Sequence, residues 1–210
     1  MAGLFITFEG GEGAGKSTQV KRLGDYLSAA GRQVVLTREP GGAPGAEAIR
    51  KLLVEGAASR WDGVTEALLH TAARRDHLVK TVWPALEAGK IVISDRFVDS
   101  TTAYQGYGHG LDVAMLEMLY KAAIGTFRPD LTLIIDVPLD IGLARAGARG
   151  GVENRYENMD RKFHERLRDG FLTIAKLEPA RCKVIDGARD ADQVQADVRA
   201  AVDGALKRHG

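Results

Sequence analysis

Residues 10–18 of the chain read GGEGAGKST, and the five residues at 4–8 read LFITF. The apolar run predicts a strand, and the spacing of Val20, Leu23 and Leu27 after the loop predicts a helix. A glycine-rich turn between a strand and a helix directs several backbone N–H groups at one point, where the helix dipole adds roughly half a positive charge. The pattern therefore predicts a loop that binds the phosphates of a nucleoside triphosphate.

The loop pattern also predicts individual roles. Lys16 is expected to reach the terminal phosphates of the triphosphate, and the Ser17 hydroxyl is expected to bind Mg²⁺. The other residues of the triphosphate site are Gly10, Gly11, Glu12, Gly13, Ala14, Gly15 and Thr18.

Length and composition narrow the class of protein. The 210 residues suit one α/β domain spanning 1–210. Lys and Arg total 29 against 28 acidic residues, so we expect neither nucleic acid nor an acidic membrane surface as a partner. Cys182 is the single cysteine, which favours a cytoplasmic protein without disulfides. We expect no secretory signal and no segment that spans a bilayer.

Strand-like and helix-like segments alternate along the chain. Five short apolar segments predict strands at 4–8, 33–37, 91–95, 131–136 and 182–186. Apolar residues at helical spacing predict a short helix around Ile49, Leu52 and Leu53, and a last helix around Val194, Val198, Ala201, Val202 and Ala205. A long helix is predicted at 65–88, its apolar side formed by Leu68, Leu69, Ala72, Val79, Val82 and Trp83. Such alternation predicts a five-stranded parallel sheet flanked by helices on both faces, with binding sites at the carboxyl ends of the strands.

Two segments depart from this pattern. Residues 145–162 are charged, glycine-containing and poor in apolar residues, which suits either a solvated surface loop or a mobile lid over the phosphates. Residues 111–124 are apolar around most of a helical circumference, more than packing on one sheet face requires. That helix is predicted either to form a subunit interface or to lie deep inside the protein.

The third strand ends in an acidic and a basic residue. Asp95 would lie beside the phosphate loop, where its carboxylate can hold Mg²⁺ directly or through water. Arg96 can grip a second phosphate group, although a simple ion pair at the strand end is the alternative. Glu9 ends the first strand, where it would join the outer shell of the metal or face solvent.

The arginines favour a phosphotransferase over a GTPase. The only asparagines are Asn154 and Asn158, so no N-K-x-D motif for guanine exists, and no D-x-x-G switch occurs. Five arginines fall near predicted loops or carboxyl-edge helices: Arg50, Arg74, Arg96, Arg149 and Arg155. Transfer between two anionic nucleotides needs positive charge on both the donor and the acceptor phosphates.

Several further stretches resemble one family over nearly the whole chain. They are FEGGEGAGKST at 8–18, TREPGG at 37–42, ARRDHL at 73–78, SDRF at 94–97, DSTTAYQG at 99–106, RPDLTL at 128–133 and DVP at 136–138. The combination resembles the bacterial thymidylate (dTMP) kinases, which are phosphate-loop nucleoside monophosphate kinases. The resemblance implies ATP and dTMP as substrates, Mg²⁺ as cofactor, a homodimer and a role in dTTP biosynthesis.

The resemblance also implies how the acceptor is held. Arg50 and Arg96 clamp the dTMP phosphate, and Glu12 meets the 3′-hydroxyl. Glu39 and Pro40 shape the acceptor pocket, and Tyr104 excludes a ribose 2′-hydroxyl. The residues implied for the base and the remaining contacts are His70, Arg74, Ser100, Thr101 and Gln105.

Two positions carry particular interest. The phosphate loop holds no basic residue before Lys16, so Arg149 and Arg155 of the lid are expected to supply the missing positive charge to the transferring phosphoryl group. His70 stands where the family usually has phenylalanine stacked on thymine, and a neutral imidazole offers a smaller apolar face.

The expected reaction is ATP + dTMP giving ADP + dTDP by in-line transfer, with a kinase for another nucleoside monophosphate such as dUMP as the alternative. A nucleotide-binding regulatory module with little transfer activity is disfavoured, because it gives no reason for a second phosphate clamp.

Overall fold

The computed structural model describes residues 3–57, 59–148, 155–156 and 159–209. Its centre is a five-stranded parallel sheet with the strand order β2-β3-β1-β4-β5. The strands are β1 (Leu4–Glu9), β2 (Val34–Arg38), β3 (Ile91–Asp95), β4 (Leu131–Asp136) and β5 (Cys182–Asp186). All five predicted strands are present, and β2 begins one residue later than expected.

Helices connect the strands. They are α1 (Lys16–Ala29), α2 (Pro44–Val54), α3 (Gly63–His77), α4 (Trp83–Glu87), α5 (Val98–Thr101), α6 (Val113–Ile124), α7 (Leu139–Gly147), α8 (Arg161–Leu177) and α9 (Ala191–His209). Two wider, π-helical stretches, Leu78–Val82 and Thr102–Gly108, continue α3 and α5. The pattern of helices on a parallel sheet confirms the predicted fold class.

Alternation along the central strands supplies the core on both faces. Ile6 and Phe8 of β1 pack on one face with Leu23 of α1 and Val198 of α9. Phe5 points to the other face, where its neighbours come mainly from the segment 78–98 and α6. Burial of apolar side chains on both faces stabilises a parallel sheet and fixes which strand ends form the binding edge.

The predicted long helix at 65–88 is interrupted, and its predicted apolar side is only partly buried: Val82 lies in the core and Trp83 packs against it, but three of the six residues are exposed. The π-helical stretch precedes Pro84, whose ring and missing N–H disturb the regular helical hydrogen bonds. Leu68 and Val79 are exposed, and Ala72 is exposed as well. The buried side of α3 instead carries Glu66 and Arg74, because their charges are paired inside the protein.

Helix α6 is not a deep internal helix. Leu116, Tyr120 and Ile124 form one buried stripe, while Met118 is 64% exposed and Val113 is 41% exposed. The apolar surplus noticed in the sequence therefore lies on the surface of the chain. In the described part of the chain, no helix combines the length and apolarity that crossing a membrane would need.

Candidate active site

The phosphate loop connects β1 to α1 at the carboxyl edge of the sheet. Gly10 and Gly13 have positive φ angles of 133° and 67°. A Cβ at Gly10 would lie 2.4 Å from the Ile135 carbonyl oxygen, and one at Gly13 would lie 1.9 Å from that of Gly142. Glycine is required at both positions, since any side chain would collide with backbone and strain the turn.

Lys16 begins α1 and folds back over the loop. Its Nζ donates to the Gly10 carbonyl oxygen at 3.0 Å and to the Gly11 carbonyl oxygen at 2.8 Å. Burial, together with the charge of Arg96, lowers the pKa of Lys16 to about 8. A phosphate group near this ammonium would compensate its lost hydration, which suits the predicted contact with a triphosphate.

Ser17 and Asp95 meet at the opening of the loop, as the sequence predicts. The Ser17 hydroxyl donates to Asp95 Oδ2 at 2.7 Å, and both groups are accessible from the cleft. A hydroxyl and a carboxylate are hard oxygen ligands of the kind Mg²⁺ prefers, usually with water and phosphate oxygens completing its shell. Among the described residues, no cluster of three or more His, Cys, Asp or Glu side chains forms a ready metal cage. The donor set therefore fits a metal shared with a nucleotide.

Glu9 lies below this point and does not face solvent. Its Oε1 accepts from the Phe97 N–H at 2.7 Å, and its Oε2 accepts from the Ser100 hydroxyl at 2.5 Å. Burial and the nearby Asp99 raise the pKa of Glu9 to about 8. The solvent-facing alternative was wrong, and an outer-shell metal role stays a prediction.

Arg96 joins the phosphate loop to the acceptor side of the cleft. It donates to the Gly10 carbonyl oxygen at 3.2 Å, to Ser100 Oγ at 3.1 Å and to Glu12 Oε1 at 2.9 Å. Its guanidinium carbon lies 4.8 Å from the ring centre of Tyr104, whose hydroxyl donates to the same Glu12 oxygen at 2.6 Å. Arg96 has a φ of 71°, a left-handed conformation that is uncommon for a residue other than glycine.

A buried ion pair forms the floor of the acceptor side. Arg74 Nε donates to Glu39 Oε2 at 2.7 Å, and Arg74 Nη2 donates to Thr101 Oγ1 at 2.9 Å. The other Glu39 oxygen lies 2.9 Å from His77 Nδ1. The described hydrogen bonds of Arg74 are made by Nε and Nη2, and they fix the orientation of the guanidinium. Arg74 also lines the cleft.

Arg50 reaches the same region from α2. Its Nη1 donates to the Pro40 carbonyl oxygen at 2.8 Å, and the peptide bond between Glu39 and Pro40 is cis. Arg50 and Pro40 both line the cleft, which agrees with the place the sequence predicts for them.

His70 and Gln105 line the cleft together with Tyr156. His70 Nε2 lies 3.2 Å from the Tyr156 hydroxyl, and Gln105 Nε2 donates to that hydroxyl at 3.5 Å. Burial, with the charges of Arg74 and Arg96, lowers the pKa of His70 to about 3. The imidazole is therefore neutral at physiological pH and able to stack on a base.

Of the two arginines predicted to belong to the lid, the structure describes only Arg155. Arg149 lies outside the described residues, as does most of the segment at 149–158. Arg155 is buried and donates to the Leu53 carbonyl oxygen and the Ala57 carbonyl oxygen, both at 3.1 Å, and it forms an ion pair with Glu66. This arrangement does not bring Arg155 to the cleft, and its contact with a transferring phosphoryl group stays a prediction.

One cavity of about 650 Å³ joins these parts. It holds most of the residues that the sequence singles out: Glu12, Gly13, Ala14, Gly15, Lys16, Ser17, Thr18, Glu39, Pro40, Arg50, His70, Arg74, Asp95, Arg96, Ser100, Thr101, Tyr104 and Gln105. The sequence did not indicate Val54, Phe97 or Tyr156 as lining residues, nor Glu66 behind them. The cavity therefore brings the phosphate loop with Lys16 and the side chains of Arg50, Arg74 and Arg96 around one shared space.

Comparison with known proteins decides the family. The family described as thymidylate kinase matches residues 8–198 of the chain. The chain belongs to the thymidylate kinase family. It is 56% identical to the thymidylate kinase of Caulobacter vibrioides over 196 residues, which cover 93% of this chain and 94% of that protein. It is 53% identical to the thymidylate kinase of Ruegeria pomeroyi, covering 93% and 92% respectively.

A solved structure agrees with the sequence relatives. The crystal structure of thymidylate kinase from Ehrlichia chaffeensis matches with a TM-score of 0.78 and 41% identity, covering 96% of this chain and 99% of that one. The family resemblance seen in the sequence is therefore confirmed, and so is the phosphate-loop nucleoside monophosphate kinase fold. As a member of the thymidylate kinase family, the chain is a phosphotransferase of the kind that acts on a phosphate acceptor.

Proposed function

We propose that the protein transfers the γ-phosphoryl group of ATP to dTMP, giving ADP and dTDP for dTTP biosynthesis. The observation that supports this most is a single cavity lined both by the phosphate loop with Lys16 and by the side chains of Arg50, Arg74 and Arg96. The names of the relatives favour dTMP over dUMP as the acceptor.

At the donor end, the loop amides and Lys16 hold the triphosphate. Lys16 exchanges its bonds to the Gly10 and Gly11 carbonyl oxygens for bonds to phosphate oxygens. Ser17 and Asp95 hold Mg²⁺, which neutralises charge on the transferring phosphoryl group when it is bound.

At the acceptor end, Arg96 and Arg50 orient the dTMP phosphate. Arg96 is held by Ser100 and the loop, so its fork is already positioned when the substrate enters. The dTMP phosphate competes with Glu12 for Arg96, which leaves the Glu12 carboxylate available to accept from the 3′-hydroxyl. No general base is required, because the second pKa of a phosphate monoester is about 6 and the attacking oxygen is already ionised.

The base rests at the far end of the cleft. Arg74 donates to the 4-keto oxygen, Thr101 and Gln105 contact the other polar edge, and the His70 ring stacks on the pyrimidine. Tyr104 occupies the space of a 2′-hydroxyl, which selects the deoxy sugar by exclusion. In this proposal the segment at 145–162 acts as a lid that supplies Arg149 to the transferring phosphoryl group, and Arg155 joins it only by leaving its ion pair with Glu66.

The protein acts as a homodimer in the cytoplasm in this proposal. Exposed apolar side chains on α3 and α6, two helices that contact each other, support an interface at these helices; they include Leu68, Val113 and Met118. Light scattering on the purified protein should give twice the mass of the chain. Cys182 is buried and burial raises its pKa to about 12, which agrees with an inert thiol in a reducing compartment.

A turnover panel tests the proposed reaction. ADP release with ATP–Mg²⁺ is measured with dTMP, dUMP, dCMP, dAMP and dGMP as acceptors, and the Lys16→Met variant controls for contaminating kinases. The expected result is the highest kcat/KM with dTMP and no turnover above background in the variant. Equal or better use of a purine nucleotide would overturn the base assignment.

A further inference from the structure

Glu66 is a buried carboxylate that lies directly behind the base end of the cleft. It belongs to α3, is only 1% exposed, and is absent from the residues that line the cleft. Its Oε2 accepts from Gln105 Nε2 at 3.1 Å and from the Tyr156 hydroxyl at 3.3 Å. Arg155 pairs with its other oxygen, and His109 Nε2 lies 3.6 Å from Oε2.

An ionised carboxylate can only accept hydrogen bonds. The side-chain amide of Gln105 must therefore turn its Nε2 toward Glu66, and its Oε1 must point elsewhere. That oxygen is buried and has no hydrogen-bond partner among the residues that the structure describes. A buried acceptor without a partner is costly, so a donor supplied by a ligand in the adjoining cleft would relieve the cost.

The same reasoning extends through Tyr156 to His70. Because the Tyr156 hydroxyl gives its proton to Glu66, its oxygen accepts, and the His70 nitrogen 3.2 Å away must carry the hydrogen. A neutral imidazole with hydrogen on Nε2 has an acceptor at Nδ1. Glu66 thereby leaves acceptors, rather than donors, on Gln105 and His70, two of the residues that line the base end of the cleft.

We propose that Glu66 is a positioning residue that sets the hydrogen-bond polarity of the base end, so that the cleft selects a keto pyrimidine over an amino pyrimidine. Thymine and uracil carry N3–H, a donor that matches Gln105 Oε1, and a 4-keto oxygen that matches the Arg74 guanidinium. Cytosine presents an acceptor at N3 and an amino group at C4, which leaves both protein groups unpaired. This inference rests on the proposed function, because it assumes a pyrimidine at this end.

The test compares base selectivity in Glu66→Gln with that of the wild type. The amide can both donate and accept, so Gln105 is free to rotate and present Nε2 to the base. Steady-state kinetics with dTMP, dUMP and dCMP should show KM for dTMP rising about tenfold while kcat changes less than about threefold. The ratio of kcat/KM for dTMP to that for dCMP should fall about tenfold, and dUMP should follow dTMP.

Loss of the ion pair with Arg155 needs its own control. Arg155→Met removes that pair but keeps Gln105 and Tyr156 as donors to Glu66, and the unpaired buried carboxylate should lower the free energy of unfolding. The variant is expected to lower turnover while keeping the ratio between dTMP and dCMP within about twofold of the wild type. A loss of selectivity in Arg155→Met as large as in Glu66→Gln would overturn the inference, since the ion pair would then be responsible.

Folding is checked by circular dichroism and thermal unfolding of each variant. If Glu66→Gln does not fold, it is replaced by Glu66→Asp and Glu66→Asn, whose side chains have the same length as each other. Only the Asp variant should retain the selectivity for dTMP over dCMP. An unchanged ratio between dTMP and dCMP in folded Glu66→Gln, or equal ratios in the shorter pair, would refute the role of Glu66. The wild-type acceptor panel is separate, because a wild type that ignores dTMP would refute the proposed function instead.

Discussion

At the phosphate end of the cleft, the consecutive residues 10–18 supply most of the groups, whereas the base end draws single side chains from positions 39, 70, 74, 105 and 156. The phosphate end is formed largely by backbone groups, in a loop conformation that requires glycine at several positions. The base end is formed by buried charged and amide side chains that hold one another in place by hydrogen bonds and ion pairs. A difference in construction of this kind predicts that the two ends respond differently to mutation.

The largest effect is expected where the two ends meet, at Arg96. Arg96→Ala should lower kcat/KM for dTMP about 1,000-fold and weaken dTMP binding, because the phosphate loses its positioned guanidinium. ATP affinity should stay near normal, since the loop amides and Lys16 remain. Titration calorimetry with each nucleotide measures this. Arg208→Ala at the exposed end of α9 is the control, and unchanged dTMP affinity in Arg96→Ala would contradict the clamp.

Mutations at the two ends of the cleft should change the free energy of unfolding in opposite directions. Arg74→Met leaves the buried Glu39 carboxylate without its main partner, which should lower the free energy of unfolding by about 3 kcal/mol. Lys16→Met removes an ammonium whose pKa is lowered from 10.5 to about 8 by burial and by Arg96. Because the folded state disfavours that charge, its removal should raise the free energy of unfolding by about 1–3 kcal/mol at pH 7.

Denaturant unfolding at pH 7 measures both variants. Adding Glu39→Gln to Arg74→Met should recover part of the loss, because the unpaired buried charge is then gone. If the free energy of unfolding falls by a similar amount in Arg74→Met and in Lys16→Met, the proposed difference between the two ends of the cleft is wrong.

The smallest effect is expected at His70. His70→Phe should lower KM for dTMP two- to fivefold, by about 0.5–1 kcal/mol, because phenylalanine offers a larger apolar face to the base. Since the pKa of His70 is lowered to about 3, the imidazole stays neutral and dTMP affinity should show no step near pH 6.5 that depends on this residue. A step that disappears in His70→Phe would show that the histidine titrates in the cleft.

The sequence predicted elements well where the signal was local. The phosphate loop and all five strands follow from short apolar runs and turn residues, and the family motifs located most of the lining residues. The side of α3 that faces the protein was not predictable in this way. Its exposed Leu68 and Ala72 and its buried Glu66 and Arg74 reverse the usual pattern, because charge pairing across the fold outweighs periodicity.

The amino-acid sequence by itself determined the sheet, the phosphate loop and the meeting of Ser17 with Asp95. Each depends on neighbouring residues or on two strand ends that a parallel sheet places together. Only the tertiary structure decided that Glu66 lies behind Gln105 and Tyr156, or that Arg155 is buried in an ion pair. The hydrogen bonds of Glu66 with Gln105 and Tyr156 join residues that are 39 and 90 positions apart in the sequence. Which group donates and which accepts is set by the whole cluster of contacting side chains, so no single segment of the sequence reveals it.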